Sequence, residues 1–151
     1  MKQVYVGMAA VIEKENKFLV LKRSAERDFE PNMWETVTGR LESEESPVKG
    51  ILREVEEETS LEVEILYPVD IGFFYRGGKE FPMVFISFYC KYLKGEVKTT
   101  WEHSEYKWIT LDEALELKDL QHFHVMFRNI KEMKKNLPED FKFEYSTFNQ
   151  A

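Results

Sequence analysis

Residues 39–61, GRLESEESPVKGILREVEEETSL, decide how this chain is read. Ser46 is a good N-cap and Pro47 suits the first helical position, so a helix is predicted to begin there. At about 100° per residue, Val48, Ile51, Leu52, Val55 and Thr59 fall within an arc of about 100°, the predicted buried stripe. Glu54, Glu57 and Glu58 share a similar arc on the far side, and Glu56 points to the flank. Glu54 and Glu58 are like charges four residues apart, which weakens a helix by a few tenths of a kcal/mol. Water and nearby lysines offer one remedy. A divalent cation, which takes carboxylate oxygens as hard ligands, offers the other.

Upstream of this segment, Val4, Val6, Met8, Ala10 and Ile12 alternate, and KFLVLKR follows across Glu15-Asn16, so residues 4–23 read as a β-hairpin. The polar stretch SAERDFEPNM, 24–33, reads as a loop before the short strand-like WETVT. Downstream come LEVEILYPVDIGFFYR and KEFPMVFISFYCKYL, separated by Gly77-Gly78, and then YKWIT. Thr110 with Glu113 forms a capping box opening a short helix, and a longer helix is expected over roughly 121–136. The last dozen residues read as a strand or a loose tail.

Composition sets the outer bounds. With 151 residues, 43% hydrophobic, 32% charged and 15% aromatic, the chain is expected to fold as one domain over 1–151, burying roughly two-thirds of its unfolded surface. No apolar run approaches the ~20 residues that span a bilayer, and the start lacks the layout of a signal peptide, so no membrane partner and no export are expected. Cys90 is the only cysteine, which excludes an internal disulfide and a cysteine-based zinc site and fits a cytoplasmic location. The net charge of −7 argues against a nucleic-acid polymer as partner, since that affinity rests on neutralising phosphates. An anionic small molecule remains open if metal ions carry the positive charge.

Written as a pattern, 39–61 is G-x5-E-x7-R-E-V-x-E-E-x-S-L. It resembles the signature of the Nudix hydrolases, G-x5-E-x7-R-E-U-x-E-E-x-G-U with U a bulky aliphatic residue, through Gly39, Glu45, Arg53, Glu54, Val55, Glu57, Glu58 and Leu61. Ser60 replaces the final glycine, which would end the helix in a left-handed conformation, a task serine performs less well. WETVTGRLE, REVEEETS and EHSEYKW together look like the dihydroneopterin triphosphate pyrophosphatase branch of MutT-like enzymes. The resemblance implies an α/β/α sandwich around a central mixed sheet. It also implies Mg²⁺-dependent cleavage, with Mn²⁺ able to substitute, of a nucleoside or dihydroneopterin triphosphate to the monophosphate and pyrophosphate. A homodimer is compatible with it.

The implied roles follow the motif. Glu57 and Glu58 hold metal, Glu54 ligates through water or acts as base, and the backbone carbonyl near Thr38 and Gly39 completes the shell. Arg53 pairs with Glu45 and holds the loop against the helix. Glu102 matches the glutamate of E-H-x-x-Y-x-W as a further ligand or base, with Glu105 the competitor and His103 a proton-shuttle candidate. Lys22, Arg23 and Arg27 stand where basic side chains meet terminal phosphates, or else form a solvated loop. Trp34 either stacks on the substrate's ring or belongs to the core. Phe73, Phe74 and Tyr75 read as strand packing. Cleavage of a nucleotide sugar such as ADP-ribose is the enzymatic rival, weakened because a proline many such enzymes carry after the box would fall near Gly77, where none stands. A silent nucleotide-binding sensor is the second rival, and it usually lacks one of the two glutamates present here as Glu57 and Glu58.

Overall fold

The computed structural model describes residues 3–146. Strands β1 (Tyr5–Lys14) and β2 (Lys17–Arg23) pair antiparallel through Lys14 and Lys17. Glu15 and Asn16 both take positive φ, 50° and 65°, the requirement of a two-residue hairpin turn matched to strand twist. WETVT divides into β3 (Trp34–Glu35), paired with β2, and β4 (Val37–Arg40), paired with β1. Helix α1 (Pro47–Thr59) starts at Ser46, whose side chain accepts from the Lys49 N–H, with Pro47 in the first turn. It ends at Ser60 in the left-handed region, φ 64°, so serine adopts the conformation that glycine would take at lower cost.

Strands β5 (Glu62–Tyr75) and β6 (Pro82–Lys94) form a long antiparallel pair, and β6 runs parallel to β1. With β7 (His103–Ile109) beside β2, the result is a seven-stranded mixed sheet ordered β3-β2-β1-β6-β5, with β4 and β7 attached to β1 and β2. Strand β7 begins earlier than YKWIT implied and takes His103 and Glu105 into the ladder. The capping box forms as expected and opens α2 (Leu111–Glu116). The longer helix is shorter than expected: α3 spans His124–Asn136, and Lys118–Phe123 is a 3₁₀ turn bent at the fully buried Leu120.

Alternation along the strands sends two sets of side chains to two cores. Met8, Ala10, Ile12, Leu19 and Leu21 pack under α1 with Ile51 and Val55. Ala9, Val11, Phe18 and Val20 pack with Leu120, Phe127 and Ile130 on the other face. That is the α/β/α sandwich the motif implied. Beyond Asn136 the described tail has no regular structure, although Tyr145 packs on Phe88 and Phe141 on Tyr67. The rest of the stretch read as strand or tail lies outside the described residues. Among the described residues no helix is long and apolar enough to cross a membrane.

Candidate active site

The helix carrying the glutamates is rolled relative to the stripe read from sequence. Gly50, Ile51, Val55, Glu58 and Thr59 are its buried positions, while Leu52 is 37% exposed. At about 100° per residue Glu58 lies only about 20° from Ile51, so a modest roll carries it inward. Gly50 permits the roll, because a Cβ there would stand 2.9 Å from the Met8 side chain and from Glu45 Oε1. Gly39 does the same for Glu54: a Cβ at that position would come within 2.2 Å of the Glu54 Cδ. Helix and strand therefore approach closely through two glycines, and the carboxylates line a cleft of about 880 Å³ instead of facing open water.

Arg53 organises the near wall. Its Nε and Nη2 donate to the two oxygens of Glu45 at 2.9 and 2.6 Å, and Nη1 donates to Glu54 at 2.9 Å and Glu57 at 3.2 Å. The Arg53 hydrogen bond, with the Glu42 backbone N–H assisting, holds the Glu45 carboxyl down to about 2. Glu54 is moved the other way, because burial outweighs the Arg53 bond and charge. Glu58 is the extreme case. It is 6% exposed, its Oε2 has no hydrogen-bond partner, and burial, followed by the charges of Glu35, Glu54 and Glu102, pushes its carboxyl up to about 9.

The far wall rests on Glu35, which the sequence reading passed over. This residue is 3% exposed and accepts from Arg23 at 2.9 Å, Arg27 at 3.3 Å, Thr38 at 3.4 Å and His103 Nε2 at 2.7 Å. Burial works to raise its carboxyl, but the His103 bond and the charges of Arg23, His103 and Arg27 prevail and hold it low. A signal was available in WETVT, where an acid stands between two residues that a doubly covered strand buries, Trp34 and Thr36, with Arg23 and Arg27, read for substrate phosphates, upstream as partners for it.

The remaining candidates separate cleanly. Arg23 and Arg27 line the cleft, but Glu35 shares the charge of both, and Glu102 that of Arg27 at 3.4 Å. Lys22 is not among the lining residues; it pairs across β2 and β7 with Glu105, which is exposed. Glu102, on the turn before β7, does line the cleft. His103 is tied to Glu35 within the wall. His122, to which no role was given, lines the cleft and meets Glu30 at 2.6 Å. Trp34 is not a cleft residue. Its pairing with Lys22 turns the ring into the core cluster of Val20 and Leu120, capped by Lys107 Nζ at 4.4 Å, so it cannot stack on a ligand there. The aromatic lining comes instead from Phe73, Phe74 and Tyr75, read earlier as strand packing, together with Phe29, Phe85 and Phe123.

Among the described residues no three His, Cys, Asp or Glu side chains are already gathered as a closed metal cage. Arg53 instead holds Glu54 and Glu57, and Glu57 is 59% exposed in its side chain and able to turn on a fast timescale. The donor set nevertheless fits a hard divalent ion. It is all oxygen, it includes a buried carboxylate oxygen with no partner, and Gly39 leaves the space Glu54 occupies.

A mixed sheet lies between helices, and an acidic helix is rolled into an arginine-buttressed cleft whose oxygen donors suit a hard divalent ion. The NUDIX domain family model matches residues 1–129, and the chain belongs to the Nudix family. Nudix hydrolases act on phosphoric anhydride bonds and use divalent metal ions. The chain is 32% identical over 111 residues to a MutT-like protein of Streptomyces ambofaciens, covering 74% of this chain and 67% of that one. It is 29% identical over 143 residues to an RNA pyrophosphohydrolase of Pelagibacter ubique, covering 84% and 88%. The crystal structure of a MutT protein from Methanosarcina mazei Go1 superposes with a TM-score of 0.79 at 28% identity, over 89% of this chain and 98% of that one. Against an octanoyltransferase of Myxococcus xanthus, 29% identical over 120 residues, the chain spans only 32% of the relative's length.

Proposed function

We propose that the protein is a Mg²⁺-dependent pyrophosphohydrolase, with Mn²⁺ able to substitute, that converts a nucleoside triphosphate or dihydroneopterin triphosphate to the monophosphate and pyrophosphate. The observation that carries this reading is Glu58, a buried carboxyl whose free oxygen faces like charges and would ionise there beside a cation. Glu54, Glu57 and Glu58 would hold the ion, with the Gly39 backbone and Glu102 beside them. When bound, Mg²⁺ neutralises phosphate oxygens and lowers the pKa of attached water.

The chain supplies the rest. Arg53 keeps the Glu45 loop against α1 and sets the direction of Glu54. Burial leaves the Glu54 carboxyl more basic than an exposed one, which suits it to take a proton from the attacking water. Glu102, which lines the same cleft, is the second acid for that task, and its ion-pair partner Arg27 would meet phosphate oxygens. The free, buried Cys90 is consistent with a reducing, cytoplasmic setting.

The product names the bond broken. Hydrolysis in ¹⁸O-labelled water with Mg²⁺ is expected to place the label in pyrophosphate, reporting attack at the β phosphorus. Label in the monophosphate reassigns attack to the α position, and orthophosphate as first product overturns the triphosphate reading.

A further inference from the structure

The cleft's aromatic end contains one carboxylate that the proposed chemistry does not use. Pairing registers place Thr38, Ala9, Ser87 and Asp70 in one row across β4, β1, β6 and β5, and Arg40, Gly7, Phe85 and Gly72 two residues along, in the next row on the same face. Three strand spacings, about 14 Å, therefore separate Asp70 from Thr38, which neighbours Gly39 beneath Glu54. That is about the reach of a nucleoside triphosphate from its phosphate chain to its ring. Gly72 opens the floor: a Cβ there would stand 3.6 Å from Asp70 Oδ2 and 3.9 Å from the Phe85 Cβ, so the carboxylate lies above the glycine beside that ring. Phe74 and Phe85 form an aromatic wall, centroids 5.5 Å apart.

Among the described residues Asp70 makes no ion pair and no hydrogen bond to another side chain, and the Ser87 hydroxyl opposite it is itself unpartnered. Only the Ile71 backbone N–H bonds it, against a burial that raises its carboxyl. A polar group left over beside aromatic walls in a cleft is of the kind that fixes a ligand's orientation.

We propose that Asp70 selects the substrate's ring, its two carboxylate oxygens accepting the adjacent N–H and NH₂ donors of the 2-amino-4-oxopyrimidine edge shared by guanine and pterins. An ionised carboxylate accepts and cannot donate. Adenine and cytosine set a donor beside an acceptor on the corresponding edge, and uracil flanks one donor with two carbonyls, so each leaves an oxygen facing an oxygen or a lone pair. The assignment rests on the cleft being a triphosphate site, and it deepens that reading by naming the ring class.

The test compares kcat/KM for GTP, dihydroneopterin triphosphate, ITP, ATP and CTP with Mg²⁺, in the native protein and in Asp70→Asn. The native protein is expected to favour GTP and the pterin over ATP and CTP by about 10- to 100-fold, the worth of one bidentate pair. ITP, lacking the 2-amino group, falls between. Asp70→Asn keeps the shape but offers one donor and one acceptor, and it is expected to shift the preference toward ATP and CTP. Equal use of all rings by the native protein, or an unchanged ratio in Asp70→Asn, overturns the assignment. Calorimetric binding of GMP and AMP without metal separates the two readings. GMP preference without hydrolysis of any triphosphate overturns only the proposed activity, whereas hydrolysis with GMP and AMP bound alike overturns only the role of Asp70.

Discussion

Glu35 and Glu58 are two glutamates of one cleft, nearly equally buried, with opposite surroundings. Glu35 is enclosed by Arg23, Arg27, His103 and Thr38, and its carboxyl is held low. Glu58 has an oxygen without a partner and three acids as its main charged neighbours, and its carboxyl is pushed up to about 9. A buried charge is tolerated only when it is paired or coordinates a cation, and otherwise the group keeps a proton, as Glu58 does without metal. The difference therefore separates a strut, already neutralised by the chain, from a socket that the chain leaves open.

The comparison can be broken most directly at the strut. Glu35→Gln leaves two arginines and a histidine facing a neutral amide inside the wall, and it is expected to lower unfolding free energy by about 3–5 kcal/mol, the cost of breaking a buried pair from one side. Urea denaturation would measure it; a loss below about 1 kcal/mol would show that solvent, and not Glu35, neutralises the wall.

At the socket the same chemical change should do the reverse. Glu58→Gln is expected to lower kcat at least about a hundredfold, about 2.7 kcal/mol of barrier, yet to raise the melting temperature of the metal-free protein. Its carboxyl is raised in the fold, so the stabilisation it allows is complete below its ordinary value of 4.5 and is lost as pH rises through about 9. With chelator present, stability from pH 6 to 9 should fall in the native protein and fall less in Glu58→Gln. Glu45, held down to about 2, acts only on the acid side and does not confuse that window. Native-like turnover in a folded Glu58→Gln protein would remove the socket altogether.

The smallest expected effect lies at the end of the same helix. Ser60→Gly places the residue suited to φ 64° at the cap and should add about 0.5–1 kcal/mol with activity unchanged. No gain would mean that the serine suits the cap as well as glycine does.

Much of this was legible in the chain. Alternation and the Glu15-Asn16 turn located the first hairpin, Ser46-Pro47 located the start of α1, and Thr110 with Glu113 located α2, because each rests on backbone chemistry acting over a few residues. The spacing of Gly39, Glu45, Arg53, Glu54, Glu57 and Glu58 identified the family for a similar reason, since positions on one loop and one helix are related by local geometry.

What only the tertiary structure decided is which side chains meet. The roll of α1 that buries Glu58 depends on Gly50 against Met8 and Gly39 against Glu54, contacts between elements that periodicity within one helix does not contain. The pairing of β2 with β3 and β7 sent Trp34 to the core, tied His103 to Glu35, and set Glu105 outside the cleft that Glu102 lines. Asp70 reached the same cleft through registers that cross four strands. Sequence records the residues and their local preferences; burial and charge pairing arise between distant segments, and here they separate a neutralised acid from one left open for a cation.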